Sequence, residues 1–113
     1  MKTFYHVTKK SNLESIKKNG LIPKIGLLAM DANESIERIY LFNNVEDMDN
    51  ALMNWLGIAL EDYFGELEEF ISLKIDLPDN FPIQRTQIYE SYCYETIPSN
   101  YISFFREEWM NSF

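Results

Sequence analysis

Histidine and cysteine are two of the side-chain types that most often carry chemistry, and each occurs once in this sequence. His6 is the only histidine and Cys93 the only cysteine, so neither an intramolecular disulfide nor a cysteine-based zinc site can form. The chain also lacks a glycine-rich phosphate loop, and no serine lies in the pattern of a nucleophile elbow. We therefore expect no metal site. A single histidine in an apolar strand, taken alone, is typical of a hydrogen-bonded structural residue.

His6 stands beside a concentration of positive charge. Residues 1–24 contain six lysines and one glutamate, a local balance of +5, whereas the other 89 residues carry four basic and 17 acidic groups. The whole chain has a net charge of −8, which opposes binding of nucleic acid over most of its surface. The N-terminal lysines can still attract a phosphate-bearing ligand, although solvated faces of an ordinary protein carry similar charge runs.

Three segments place His6 in a longer pattern. Residues 5–8 are Tyr-His-Val-Thr, and a short helical pattern and the turn Gly-Leu-Ile-Pro at 20–23 follow them. Residues 39–42 are Ile-Tyr-Leu-Phe and precede a helix that begins with acidic residues. Residues 89–94 are Tyr-Glu-Ser-Tyr-Cys-Tyr, and Ile-Pro follows at 97–98. In this order and on these elements, the segments resemble the motifs of small ADP-ribosyltransferase-like domains.

The resemblance covers residues 3–103 and implies both a fold and an activity. His6, Tyr40 and Glu90 match the ordered His-Tyr-Glu pattern of the diphtheria-toxin and poly-ADP-ribose-polymerase branch. The implied fold is α+β, a compact split sheet, antiparallel or mixed, with two main helices. The implied activity is cleavage of the nicotinamide–ribose bond of NAD and transfer of ADP-ribose to a macromolecule. The acidic bulk favours a protein acceptor over nucleic acid, and the small size suits a stand-alone bacterial or phage effector.

The resemblance also implies a role for each site residue. Bond cleavage leaves positive charge on the ribose, as in glycoside hydrolysis, and the Glu90 carboxylate would stabilise it. The Tyr40 ring would stack on the nicotinamide, and His6 would hold the adenosine-side ribose through both ring nitrogens. Thr8 would help to fix the imidazole or the ligand. Glu95 remains an alternative to Glu90, because a bulge or a register shift in the last strand would exchange the two.

The elements that must position these residues follow from pattern and turn signals. Strands are expected at 3–7, 38–42, 69–77 and 86–96, where β-branched, aromatic or alternating runs occur. A capping box at Ser11 predicts a short helix that ends at Gly20, and Asn43 or Asn44 is expected to cap a longer helix over 45–64 that ends at Gly65. No period is clear over 25–36, which predicts a mobile loop, and one short element is expected after residue 98.

Taken singly, several of these residues also suit ordinary structural positions. Tyr40 is typical of a core or cross-strand aromatic side chain, and Glu90 of an exposed strand position. Trp55 lies on the apolar face of the long helix and is expected in the core, and Cys93 is expected to be buried or half-buried. Only the joint pattern of His6, Tyr40 and Glu90 favours a site.

The length and composition of the whole chain indicate its domain organisation and allow a second function. With 113 residues, 46% of them hydrophobic and 15% aromatic, the chain suits one domain over 1–113. It has no signal-peptide-like or membrane-spanning stretch, so we expect a cytoplasmic protein without a membrane partner. The alternative function is a non-catalytic acidic inhibitor that occupies a partner's nucleic-acid-binding groove. Its face would consist of acidic residues with no lysine or arginine between them: Glu46, Asp47, Asp49, Glu61, Asp62, Glu66, Glu68 and Glu69.

Overall fold

The computed structural model describes residues 1–24, 37–65, 67–85 and 90–108. Within these ranges the chain is α+β, with six strands and three α-helices. The strands are β1 (Lys2–Lys9), β2 (Ile39–Phe42), β3 (Phe70–Leu77), β4 (Gln84–Arg85), β5 (Glu90–Cys93) and β6 (Ile102–Glu108). The helices are α1 (Leu13–Asn19), α2 (Val45–Met53) and α3 (Trp55–Phe64). The expected loop over 25–36 and residues 86–89 of an expected strand lie outside the described residues.

The six strands form one sheet that is divided near its middle. Their order is β4-β5-β2-β1-β3-β6, and every neighbouring pair is antiparallel. β1 pairs with β3 over its whole length, whereas β1 and β2 pair at one position, Tyr5 opposite Phe42. The sheet thus consists of two three-stranded halves joined at a narrow contact. The expected α+β class is confirmed, and of the two sheet types expected, the antiparallel one is observed.

A buried layer covers each face of the sheet. Phe4 of β1 packs with α1 and with the inward residues of β2, β3 and β5 on one face, which we call the α1 face. α2 and α3 pack on the opposite face, the hairpin face, where Phe42 is buried and Tyr5 is half-buried. Successive side chains of a strand point to opposite faces. Even-numbered residues of β1 therefore lie on the α1 face, and odd-numbered residues lie on the hairpin face.

α1 does not begin as the sequence predicts. The capping box at Ser11 is not formed, because residues Lys10–Asn12 make a turn of 3₁₀ helix and α1 begins at Leu13 without a side-chain cap. Asn12 donates a hydrogen bond from Nδ2 to the Thr8 hydroxyl oxygen instead, at 3.0 Å. The local tendency of Ser11 to cap a helix is thus overridden by a contact with the end of β1.

The chain after α1 lies in the gap between the two halves of the sheet. Gly20 ends α1 as expected, with φ 77°, and a Cβ there would lie 2.2 Å from the carbonyl oxygen of Ile97. The backbone of Leu21 then pairs with that of Ile97, and the backbone of Lys24 with that of Arg38. This segment continues the ladder along β2 at the point where β1 has diverged from it.

The long helix expected over 45–64 is two helices that meet at Asn54. Asn54 has φ −126° and ψ −112°, far from helical values. A Cβ at Gly57 would lie 1.9 Å from the backbone carbonyl oxygen of Leu52, so the two helices approach as closely as glycine allows. The break also turns Trp55 outward. Its side chain is 49% exposed, and the prediction that it lies in the core is wrong.

The outer ends of this helical hairpin lie where the sequence predicts them. The Asn44 side-chain oxygen accepts a hydrogen bond from the backbone N–H of Asp47 at 2.8 Å, which caps α2. α3 ends at Gly65, whose φ of 80° suits glycine.

A chain of polar contacts fastens the hairpin to the sheet. Arg106 of β6 donates to Glu108 at 2.6 Å and also to Asp49 of α2. The buried Ser72 hydroxyl of β3 donates to the same Glu108 carboxylate at 2.7 Å. Ser72 and Glu108 are thereby satisfied within the fold.

Candidate functional site

Tyr40 and Glu90 lie on the same face of neighbouring strands. β2 and β5 pair so that Tyr40 is opposite Tyr92 and Phe42 is opposite Glu90. Residues directly opposite each other share a face, and so do residues two apart along a strand. Glu90 is therefore the diagonal neighbour of Tyr40 on the hairpin face. Both side chains are half-buried, so each keeps a surface on which a ligand can be bound.

His6 reaches the backbone of Tyr40 across the gap between β1 and β2. The edge of β2 that faces β1 is paired at Phe42 with β1 and at Arg38 with the segment after α1. Tyr40 lies between these two pairs, and its carbonyl oxygen lies 2.7 Å from His6 Nδ1. The imidazole takes the place of a backbone N–H where the two halves of the sheet separate.

This hydrogen bond determines the chemical form of the His6 ring. A carbonyl oxygen can only accept, so Nδ1 carries the proton and Nε2 of the neutral ring is an acceptor. Burial lowers the pKa of His6 below its ordinary value of 6.5; the hydrogen bond to Tyr40 opposes this shift, and the charge of Lys24 adds to it. The ring is therefore neutral at pH 7. The expected use of both ring nitrogens toward a ribose is wrong, because the backbone occupies Nδ1.

The three residues of the expected triad do not share one face. Strand alternation places His6 on the α1 face with Phe4, whereas Tyr40 and Glu90 lie on the hairpin face. They come together only at the gap, where the His6 ring touches the Tyr40 backbone. Thr8 shares the α1 face with His6, and the contact observed for its hydroxyl is with Asn12.

Glu90 and Glu95, the two alternative carboxylates, have different positions. Glu90 is the first residue of β5 and is in register with Phe42. Glu95 is exposed two residues beyond the end of β5, where its carbonyl oxygen lies 3.5 Å from the Cys93 sulfur. The ladder between the described strands β2 and β5 has no bulge, so this register places Glu90 beside Tyr40.

A cluster of tyrosines and one guanidinium adjoins Tyr40, and the sequence analysis did not single it out. The Arg38 guanidinium carbon lies 4.5 Å from the centroid of the Tyr92 ring and 5.7 Å from that of Tyr94. Tyr92 contacts Tyr94 edge-on at 5.3 Å, and its ring lies 6.3 Å from that of Tyr40. The sequence contains a signal for this cluster. Residues two apart on a strand share a face, so Arg38 lies with Tyr40, and Tyr92 lies with Tyr94.

Cys93 is buried, as expected, and is poorly suited to act as a nucleophile. Burial raises the pKa of its thiol to about 11, and the backbone hydrogen bond toward Glu95 offsets only part of that shift. In the part of the chain that the structure describes, no three histidine, cysteine or acidic side chains are grouped to hold a metal ion. A shallow depression of about 350 Å³ is lined by residues 10–11 and 67–69, and none of the expected site residues lines it.

Comparison of the chain with protein-family models, with curated proteins and with solved structures found no match. Among the helices in the described ranges, none has both the length and the apolar character needed to cross a membrane.

Proposed function

We propose that this chain is an NAD-dependent ADP-ribosyltransferase whose site consists of His6, Tyr40 and Glu90. The observation that supports the proposal most is the arrangement at the gap in the sheet. Glu90 is the diagonal neighbour of Tyr40, and His6 holds the Tyr40 backbone from the other side. The proposal requires NAD to bind on the hairpin face at Tyr40 and Glu90, and to reach Nε2 of His6 at the edge of the gap beside the Tyr40 backbone.

The reaction needs charge stabilisation more than proton transfer. The bond between ribose C1′ and the nicotinamide nitrogen breaks, and its electron pair passes to the nicotinamide ring, which leaves neutral. The acceptor forms a new bond to C1′ and releases its proton. Positive charge builds on the ribose meanwhile, as in glycoside hydrolysis. A half-buried carboxylate such as Glu90 stabilises this charge more strongly than a fully solvated one, because less water screens it.

Tyr40 and His6 suit the two ends of such a substrate. The Tyr40 ring offers an aromatic face for the nicotinamide. The hydrogen bond from His6 holds the backbone of Tyr40 in place. Nε2 of the neutral His6 ring can accept a hydrogen bond from a ribose hydroxyl. The charge of Lys24 contributes to the lowered pKa of His6, and because Lys24 is exposed its charge would attract a pyrophosphate.

The substitution Glu90→Gln tests the proposal. It is expected to reduce the rate of nicotinamide release by about 10²–10³-fold, the effect of removing one transition-state electrostatic contact. The affinity for NAD should change far less, because the opposing charge develops mainly in the transition state. Nicotinamide release at saturating NAD and calorimetric titration with NAD measure the two quantities.

The matched control is Glu95→Gln, which removes an exposed carboxylate beyond the end of β5 and should leave both quantities unchanged. If Glu95→Gln is the damaging change, Glu95 replaces Glu90 in the site. If the unmodified chain releases no nicotinamide and transfers no label from NAD to protein or nucleic acid in a lysate, the transferase proposal is wrong.

The helical hairpin supports a second candidate function. Residues 45–64 carry five carboxylates and no lysine or arginine. On the same hairpin the side chains of Met53, Trp55 and Ile58 are 66%, 49% and 63% exposed. Apolar side chains among carboxylates suit a partner surface that is basic and partly apolar. The alternative is therefore a non-catalytic acidic inhibitor that occupies a partner's nucleic-acid-binding groove.

The same Glu90→Gln chain distinguishes the two candidates. An inhibitor should keep its partner when Glu90 is changed and should lose it at high salt, because its carboxylates are exposed and screened. A transferase should lose activity with Glu90→Gln while its folded state is retained.

A further inference from the structure

We propose that Arg38 and Tyr94 form a nucleotide-binding site, in which the base stacks on the tyrosine ring and the phosphate meets the guanidinium. The site lies on the hairpin face, on the far side of Tyr40 and Tyr92 from Glu90. Along β5 and its continuation the face carries Glu90, Tyr92 and Tyr94 in turn. Along β2 and the residue before it, the face carries Phe42, Tyr40 and Arg38.

Tyr94 presents an aromatic ring to solvent in a fixed position. Its side chain is 47% exposed, although Tyr92 and Arg38 contact it. The edge-on contact with Tyr92, at 5.3 Å between centroids, restricts the ring without covering all of it. A planar base can stack on such a ring with little loss of freedom by the protein, and stacking of this kind accepts any base.

Arg38 supplies a positive charge beside the two tyrosine rings, where a phosphate can be bound. Its guanidinium carbon lies over the Tyr92 ring at 4.5 Å from the centroid, so the cation is held against an aromatic side chain. The planar guanidinium of an arginine matches the geometry of phosphate oxygens, to which its N–H groups can donate. The backbone pairing of Lys24 with Arg38 places a second cation next to it.

The combination identifies the occupant as a nucleotide. An apolar peptide would use the rings but not the paired cations, and an inorganic anion would use the cations but not the rings. A nucleotide has a base and a phosphate close together, so it can contact the Tyr94 ring and the cations at the same time. The chain has a net charge of −8, so two neighbouring cations differ from its average charge and would attract an anion to this face.

Two sources can provide this chemistry, namely the adenylate half of NAD and a nucleotide of a single-stranded nucleic acid that serves as the acceptor. The nucleotide-binding site does not depend on the proposed function. Only the choice between these two sources rests on it. It also makes nucleic acid a possible acceptor in spite of the net charge of −8.

Calorimetric titration with AMP and with adenosine tests the site. Tyr94→Ala is expected to raise the dissociation constant for AMP by about 5- to 150-fold, the effect of losing one stacked base. Tyr94→Phe should bind AMP within about twofold of the unmodified chain, because stacking needs the ring and not the hydroxyl. Arg38→Met should weaken the preference for AMP over adenosine, because the phosphate then has only the Lys24 charge beside it.

The matched control is Tyr63→Ala, which truncates a tyrosine of similar exposure, 41%, on α3 and should not alter AMP binding. The site is disproved if AMP does not bind at millimolar concentration, or if Tyr94→Ala binds it as well as the unmodified chain does. Unfolding midpoints of each variant show whether it remains folded. If Arg38→Met does not fold, the comparison of Tyr94→Ala with Tyr94→Phe still tests whether the ring binds the base.

Two further measurements identify the source. A higher KM for NAD in Tyr94→Ala indicates the adenylate half, whereas weaker binding of a single-stranded oligonucleotide at unchanged KM indicates the acceptor. If Tyr94→Ala changes neither quantity and also binds AMP as the unmodified chain does, the site is disproved. AMP binding that depends on Tyr94, in a chain that does not cleave NAD, would retain the site and reject the transferase. If the chain cleaves NAD but Tyr94→Ala changes neither AMP binding nor cleavage, the transferase is retained and the site is rejected.

Discussion

His6 carries a hydrogen bond that backbone groups carry elsewhere in the sheet. Its Nδ1 meets the Tyr40 carbonyl at the position where β1 has moved away from β2. A backbone N–H does not titrate near neutral pH, whereas an imidazole does. The junction between the two halves of the sheet therefore depends on a group whose charge can change.

Stability should consequently depend on pH through His6. Because the pKa of His6 is lowered in the folded chain, the unfolded chain takes up a proton at a higher pH than the folded chain does. The contribution of neutral His6 to the free energy of unfolding is complete above the ordinary value of 6.5. It decreases as pH falls from that value through the lowered one. Denaturant unfolding at several pH values between about 8 and 5 measures the slope.

His6→Asn provides the comparison, because the amide can donate to a carbonyl but does not titrate in this range. The slope below the ordinary value should be smaller in the variant. Parallel slopes in the two chains would show that carboxylates, and not His6, cause the loss of stability in acid.

The identity of the residues near the gap was predictable, but their placement on faces was not. The pattern around His6, Tyr40 and Glu90 predicts strands, and all three residues are on strands. The face of each residue depends on the register between strands that are far apart in sequence. β1 meets β2 at Tyr5 and Phe42 alone, and the sequence contains no local signal for that pair.

The ends of helices that carry a local stop signal were predictable from the sequence. Breaks and short strands without such a signal were not. Asn44, Gly20 and Gly65 mark helix ends through their own side chains or conformations. At the break at Asn54, Gly57 approaches the Leu52 carbonyl closely, an arrangement that no helical period reveals. β4 has two residues, Gln84–Arg85, and is too short to show an alternation.

Gly20 and Gly65 should respond differently to the same substitution. Both have nearly the same backbone angles, φ 77° with ψ −172° and φ 80° with ψ 177°, in a region that other residues rarely adopt. Gly65→Ala has open space around its Cβ and should lower the free energy of unfolding by about 1–3 kcal/mol through strain alone. Gly20→Ala should lower it further, because its Cβ also overlaps the Ile97 carbonyl oxygen. Urea unfolding measures both, and equal losses would mean that the Ile97 backbone shifts without cost.

Across the whole molecule, the positive charge of the N-terminal segment is distributed over several places. Lys9 lies over the Phe64 ring at 4.1 Å, and Lys10 pairs with Glu69 and Glu107. Lys9 thus contacts an aromatic ring of α3, and Lys10 contacts two carboxylates. The composition suggested one basic end that attracts phosphate, but the fold leaves Lys24, beside Arg38, as the lysine observed next to the candidate site.

Cys93 can report on the opening of the whole fold. It is 1% exposed, and a pKa of about 11 instead of 9.0 lowers the thiolate fraction at a given pH by about a hundredfold. Its reaction with a thiol reagent at pH 8 should therefore be slow in the native chain and fast in denaturant. NAD should slow the native reaction further, because a ligand of the folded state reduces the population that opens. A labelling rate that saturating NAD leaves unchanged would contradict NAD binding.

The place of β1 in the sheet has a consequence for biosynthesis. β1 leaves the ribosome before β3, yet β3 is the strand with which it pairs along its whole length, and Thr3 is aligned with Asp76. The ladder that buries β1 cannot form until the nascent chain has emerged to about that residue. Pairing over such a sequence distance is slow, and the central strand meanwhile has an unpaired edge that other chains can join. We therefore expect this protein to acquire its structure late in translation, in one step and not strand by strand.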